Sequence, residues 1–154
     1  MSKKNKNKQL GQRVEVPSAR VPVSIVPVSG LGYSKRLPSW RFARLKAFTG
    51  TRFGYEKALE LINDILEKLV VFEKKDWNEI ANMDKDHNHW CDVSGMIKEA
   101  RDMVSRNMLD FDRMFSLRLE GKFRLWGIIN NDGSFDIYWI DQYHEIYPSP
   151  LKYT

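Results

Sequence analysis

Between Arg113 and Pro148 the chain reads RMFSLRLEGKFRLWGIINNDGSFDIYWIDQYHEIYP, and no other stretch restricts the possible folds as much. Phe115, Leu117 and Leu119 alternate with Ser116, Arg118 and Glu120. Phe123, Leu125, Gly127 and Ile129 alternate with Arg124, Trp126 and Ile128, and Phe135, Ile137 and Trp139 with Asp136, Tyr138 and Ile140. A period of two sends successive side chains to opposite faces of a strand. Asn131-Asp132-Gly133 is a strong turn signal between two of the runs. The segment predicts a meander of three antiparallel strands.

The pattern also predicts a register. A three-residue loop, Glu120-Gly121-Lys122, sets Leu119 opposite Phe123 and Leu117 opposite Leu125, whereas a two-residue Gly-Lys loop would set Leu119 against Arg124. A slip of one residue exchanges the faces of a strand, so the apolar match selects the longer loop. The same logic at the second turn sets Ile129 opposite Phe135 and Leu125 opposite Trp139. Arg118 and Arg124 then face each other on the side that carries Trp126 and Tyr138. Opposed like charges cost up to about 1 kcal/mol. Two arrangements relieve that cost: an anion between the arginines, with Trp126 and Tyr138 as stacking surface, or a carboxylate such as Glu120 or a helix Asp or Glu.

Upstream, the apolar residues Ala58, Leu61, Ile62, Ile65, Leu66, Leu69 and Val70 recur at helical spacing and predict a helix from Tyr55 to about Phe72. Asp76 either caps a further helix through Trp77, Ile80 and Ala81 or lies within a continuation of the first. Asp84–Asp92, DKDHNHWCD, reads as a polar break. Asp92 or Ser94 then starts a helix to about Met108, with Met96, Ile97, Ala100, Met103 and Val104 as its apolar face. A short helix is expected over Trp40–Phe48, capped by Ser39 and ended by Gly50. Before it, prolines at 17, 22 and 27 separate valines, which fits extended chain or an edge strand.

The expected fold class is α+β: N-terminal helices packed on a C-terminal antiparallel sheet of three to four strands, preceded by an extended basic arm. Residues 1–38 are read as the arm and 39–154 as a single domain. The lone Cys91 excludes an intramolecular disulfide framework and fits a reducing compartment. No apolar run is long enough to span a membrane, and no apolar core of a secretory signal follows the basic start, so a cytoplasmic protein with no membrane partner is expected. Residues 1–46 hold 11 Lys and Arg against Glu15 alone, a charge of +10, and the remainder holds 14 against 19, a charge of −5. A basic arm on a mildly acidic body meets a polyanion or acidic partner, or simply solubilises the chain. Lys35, Arg36, Arg41 and Arg44 are its candidate nucleic-acid contacts nearest the body, with Lys122, Trp126 and Tyr138 on the sheet.

His144 follows the last strand, three residues after Asp141 and beside Tyr143, Glu145 and Tyr147. With Arg118, Lys122 and Arg124, this set has the parts for RNA cleavage: a base for the 2′-hydroxyl proton, an acid for the leaving 5′-oxygen and cations for the developing charge. The bland alternative is that Asp141 and His144 make turn and cap bonds at a strand end. His87, His89 and Cys91 alternate, which offers three zinc ligands if extended, but a fourth ligand and a CxxC or HxxxH pair are missing, and a solvated loop is the competing reading. No cofactor and no metal are expected, and no phosphate-binding glycine motif is present.

The run FSLRLEGKFRLWG followed by FDIYWIDQYHEIYP, within residues 115–148, resembles the C-terminal sheet of RelE/ParE-type toxin-like proteins. The shared features are an arginine strand, an Arg-hydrophobic-aromatic-Gly strand and a terminal W-x-D-x-x-H-x-hydrophobic-Y-P. The resemblance implies a small antiparallel sheet packed on N-terminal helices. It implies a toxin of a toxin–antitoxin or phage-defence system acting as a metal-independent endoribonuclease on free or ribosome-bound RNA, held by an antitoxin or other protein partner. Arg118, Arg124, His144 and Tyr147 match the working residue types. Such toxins are shorter and basic throughout, whereas here the positive charge is concentrated in the arm. That difference keeps a second reading open: a non-catalytic module binding nucleic acid or a protein through the arm.

Overall fold

The computed structural model describes residues 31–148 of the 154-residue chain. The Pro/Val segment and the Lys-rich start, for which extended chain was expected, lie outside the described residues. In chain order the elements are α1 (Leu31–Ser34), β1 (Ser39–Arg41), a 3-10 turn (Ala43–Phe48), α2 (Tyr55–Glu60), α3 (Ile62–Phe72) and α4 (Trp77–Met83). They continue with β2 (His89–Asp92), a short 3-10 turn (Val93–Gly95), α5 (Lys98–Arg106), β3 (Arg113–Glu120), β4 (Phe123–Ile129) and β5 (Ser134–Asp141). The class is α+β, as expected.

The sheet has five strands in the order β1-β5-β4-β3-β2. The β3–β4–β5 meander forms as the alternation predicts, with a further strand on each side. β1 runs parallel to β5, placing Trp40 beside Phe135. β2 runs antiparallel to β3, placing Trp90 beside Phe115. Neither outer strand was expected. Ser39–Arg41 replaces the start of the short helix, because the free edge of β5 supplies backbone partners that a three-residue stretch cannot provide for itself. Only Ala43–Phe48 winds, as a 3-10 turn, and it buries Leu45 in one core and Phe48 in the other. In β2, the polar break contains just two apolar residues, Trp90 and Cys91, too few for a period to show.

Both faces of the meander are covered. On one side Phe115, Leu117, Leu125, Ile129, Phe135, Ile137 and Ile140 pack under α2, α3 and α4, around Ile65, Leu69, Trp77 and Ile80. On the other, Met114, Trp126, Ile128, Tyr138 and Trp139 pack with Phe48, Phe53 and the α5 residues Ala100, Met103 and Val104. The helix expected over 55–72 is interrupted at Leu61, which leaves helical geometry at φ −109° and ψ 17°. Its inner face holds Ala58, Ile65, Leu69 and Phe72, while Leu66 and Val70 are exposed. Asp76 does begin a separate helix: its side chain accepts from Glu79 N, and the Glu79 carboxylate accepts from Asp76 N. Trp77 Nε1 donates to Gly133 O at 2.8 Å, tying α4 to the β4–β5 turn. Residues 33–38, read as arm, touch this body: Tyr33 Oη accepts from Trp90 Nε1 at 2.9 Å, and Pro38 is buried.

The register departs from expectation at two bulges. Leu117 faces Leu125 and Arg118 faces Arg124 as predicted, but Glu120 rather than Leu119 faces Phe123. The turn is Gly121-Lys122, with Gly121 at φ 53°, and the irregularity at Leu119 absorbs the odd residue. Ile129 faces Phe135 as predicted, but an irregularity at Tyr138 sets Trp126 opposite Trp139 and Leu125 opposite Ile140. The extra residue sends Tyr138 and Trp139 both into the second core and Ile140 into the first.

Gly127 sits beside that bulge, and a Cβ there would lie 2.1 Å from Asp136 O. Gly127→Ala is expected to cost about 3 kcal/mol in chemical denaturation, the upper end for overpacking. Gly121→Ala meets nothing within 4 Å and is expected to cost only about 1 kcal/mol, for its positive φ.

Candidate active site at one end of the sheet

The glycine turn between β3 and β4 brings two arginines onto one carbonyl. Arg118 Nε donates to Gly121 O at 2.9 Å and Arg124 Nη1 to the same oxygen at 2.6 Å. Arg118 also pairs with Asp84 at 2.9 Å, just beyond the end of α4. Of the two expected ways to relieve the arginine pair, the structure uses a carboxylate for Arg118, but one from the loop after α4 rather than Glu120 or a helix residue. Glu120 turns elsewhere, to Lys68 at 2.5 Å.

Arg124 is different. It is only 4% exposed, and among the described residues no carboxylate lies within the 4.0 Å ion-pair distance of it. Burial and then the neighbouring Arg118 push its guanidinium below the usual arginine range, and Asp141 and Asp84 act against them. The side chain nevertheless stays charged, since arginine does not deprotonate near neutral pH. A buried cation normally has a close counter-charge, and this one has its peptide acceptor and more distant acids.

Asp141, the cross-strand neighbour of Arg124, is fully buried. Its oxygens are already engaged: Oδ1 accepts from Glu145 N at 2.8 Å, and Oδ2 from Ile146 N at 3.0 Å and Trp126 Nε1 at 3.1 Å. The Asp141 carboxylate therefore builds the turn after β5, the role weighed as the bland alternative. In that turn His144 adopts φ 58°, a left-handed conformation that a histidine rarely occupies. Burial, then Arg124, lowers the basicity of its imidazole, with His87 and Lys122 adding to the effect and Asp141 opposing it. Burial and the nearby Arg124 thus favour the neutral form of His144.

The structure brings together Arg118, Lys122, Arg124 and His144. It does not bring the other candidates to this place. Trp126 and Tyr138 are 1% and 4% exposed and fill the second core, so the expectation that they form a stacking surface for bases is corrected: the face they occupy is covered by the α5 layer. Tyr147 packs on Trp126, with ring centroids 6.2 Å apart, and against Gly95. Lys35 and Arg36 are exposed after α1, beside the opposite turn, where the Arg36 Cβ approaches Gly133. Arg41 lies at 3.7 Å from Asp132 and 4.0 Å from Asp136. Arg44 stacks over Tyr138, 5.8 Å from its centroid.

Two residues that were not read as part of the site join it. Asp84 Oδ1 lies 2.7 Å from His87 Nδ1 while Oδ2 takes Arg118. Burial opposes the Asp84 charge, but His87 and Arg118 together hold the carboxyl below its usual range. The spacing of three between Asp84 and His87 was visible; that the pair would meet Arg118 was not. Cys91, weighed with His87 and His89 as a zinc ligand, is buried, and burial pushes its thiol up to about 12. Its Sγ lies 3.8 Å from His89 Nδ1, while His87 turns to Asp84. Among the described residues no group of three or more metal-ligating side chains converges, and no helix is long and apolar enough to cross a membrane.

Comparison of the chain with family models, with curated proteins and with solved structures finds no match. The resemblance to RelE/ParE-type toxins therefore rests on the motif in residues 115–148 alone.

The left-handed His144 generates a stability prediction. His144→Gly is expected to keep the stability of the parent or raise it by up to about 1 kcal/mol, because glycine adopts this conformation without penalty. The parent should lose stability as pH falls through about 6.5, since the unfolded chain binds a proton there that the folded imidazole resists. The slope in that window should be shallower for His144→Gly in denaturant titrations run at successive pH values.

Proposed function

We propose that this chain is a RelE-like, metal-independent endoribonuclease of a toxin–antitoxin or phage-defence system, acting through the end of the sheet that carries Arg118, Lys122, Arg124 and His144. The observation that supports it is Arg124, a buried guanidinium with no close carboxylate among the described residues. A phosphodiester laid against this end would provide the missing counter-charge, and Arg118 and exposed Lys122 extend the positive wall. His144, uncharged at neutral pH, would take the 2′-hydroxyl proton. The arginines would then stabilise the charge on the phosphorane. With Trp126 and Tyr138 enclosed, recognition here falls to the phosphate and ribose rather than to stacked bases.

Expression of the parent is expected to arrest growth and to yield mapped RNA breaks. Arg124→Ala and His144→Ala should each lower cleavage by about 10²-fold or more. If both variants cleave as well as the parent, this site does not act on RNA.

A second reading rests on the charge of residues 1–46, +10 against −5 for the remainder. In it the chain is a non-catalytic module that grips nucleic acid or a protein partner through the arm. Nucleic-acid binding of that kind would weaken steeply with added salt and be lost on removal of residues 1–30. A salt-insensitive complex would indicate contacts with a protein instead.

A further inference from the structure

His87 approaches the same end of the sheet from the side opposite to His144. The order of strands makes this plain. Asp141 on β5 faces Arg124 on β4, and Arg124 faces Arg118 on β3. Next in the row comes the chain entering β2, where Asn88 Oδ1 accepts from Arg118 N at 2.8 Å and fixes the residue beside His87 onto β3. Neighbouring strands are spaced by about 4.8 Å. The two imidazoles therefore flank the arginine pair, and His87 lies near enough for its charge to act on His144.

A continuous chain of hydrogen bonds orients the His87 ring. Arg124 and Arg118 share Gly121 O, Arg118 holds Asp84 Oδ2, and Asp84 Oδ1 holds His87 Nδ1. A carboxylate only accepts, so Nδ1 carries the hydrogen and Nε2 is the nitrogen left to face a ligand. The His87 side chain is 40% exposed, open to a substrate that lies over the arginines.

We propose that His87, oriented by Asp84, is the general acid of this site. The inference rests on the ribonuclease reading above. In the reaction the 2′-oxygen forms its bond to phosphorus while its proton passes to His144. The bond from phosphorus to the 5′-oxygen breaks, and that oxygen takes the proton from the His87 imidazolium. His144 ends protonated and His87 neutral, and exchange with water restores both. No oxidant, reductant or further reactant is consumed. Asp84 is a positioning residue, acting through the ring it holds.

The test uses the full chain with a mixed-sequence RNA oligonucleotide and a counterpart in which sulfur replaces one bridging 5′-oxygen. A thiolate leaves without protonation, so the second substrate does not need the acid. His87→Ala is expected to lose about 10²-fold on the oxygen substrate and almost nothing on the sulfur one. Asp84→Asn should show a smaller loss with the same recovery, and His144→Ala should lose activity on both. Equal losses on the two substrates for His87→Ala would make its role structural and overturn the inference. So would full activity of His87→Ala on the oxygen substrate while Arg124→Ala and His144→Ala are impaired, an outcome that leaves the ribonuclease reading standing. A parent that cleaves neither substrate, or Arg124→Ala and His144→Ala variants that cleave like it, would remove that reading and this inference together.

Discussion

Ile128 and Ile129 are neighbours in β4 and both are shielded from solvent, one beneath each helical layer. That double burial governs the rest of the molecule. With α2–α4 on one side and α5 on the other, the middle of the meander has no surface to offer a ligand, and polar side chains collect at the strand ends. At the Gly133 end they form the Asp132, Ser134, Asp136 and Arg41 group, in which carboxylates balance the arginine. At the Gly121 end cations prevail. The two ends differ in charge because one turn is built on Asn130 and Asp132 and the other on a glycine followed by Lys122.

The cationic end is held together by peptide groups more than by ion pairs. Gly121 O takes both arginines, and Asp141 spends its oxygens on two peptide N–H groups and an indole. An acid used in this way fixes the turn that carries His144 in its left-handed conformation and leaves Arg124, among the described residues, with a peptide acceptor in place of a close carboxylate. Strained backbone and under-compensated charge commonly occur together at functional sites, since neither helps folding. Asp84 adds the complementary arrangement on the other flank, where one carboxylate holds an arginine and a histidine in fixed relation. The surface ion pairs elsewhere, such as Arg52 with Glu99 and Glu145, join α5 and the turn after β5 to the loop before α2 but carry small energies in solvent.

Much of the fold was legible because it depends on local order. The three strand runs and the Asn-Asp-Gly turn are properties of adjacent residues, and they form where the pattern places them; of the two readings open for Asp76, the cap of a separate helix is the one that forms. Arg118 opposite Arg124 was legible too, although the loop was not: the turn is the two-residue Gly-Lys one, and the irregularity at Leu119 restores the predicted pairing. The bulges at Leu119 and Tyr138 were not, because each depends on which core has room for the extra side chain. The same cause buried Trp126 and Tyr138: an alternating strand shows two faces, and only the position of α5 tells that neither is open.

By itself, then, the order of residues determined the class, the meander, the arginine pair and the placement of His144 just past a strand, all consequences of periods and turns spanning a few residues. Tertiary structure decided the two outer strands, the covering of both faces and the meeting of Asp84 and His87 with Arg118. The physical reason is distance along the chain. Asp84 and Arg118 are joined by one ion pair across 34 residues, and Trp40 reaches Phe135 across most of the domain. Contacts of that kind arise only when free strand edges and exposed apolar faces find one another in the folded chain.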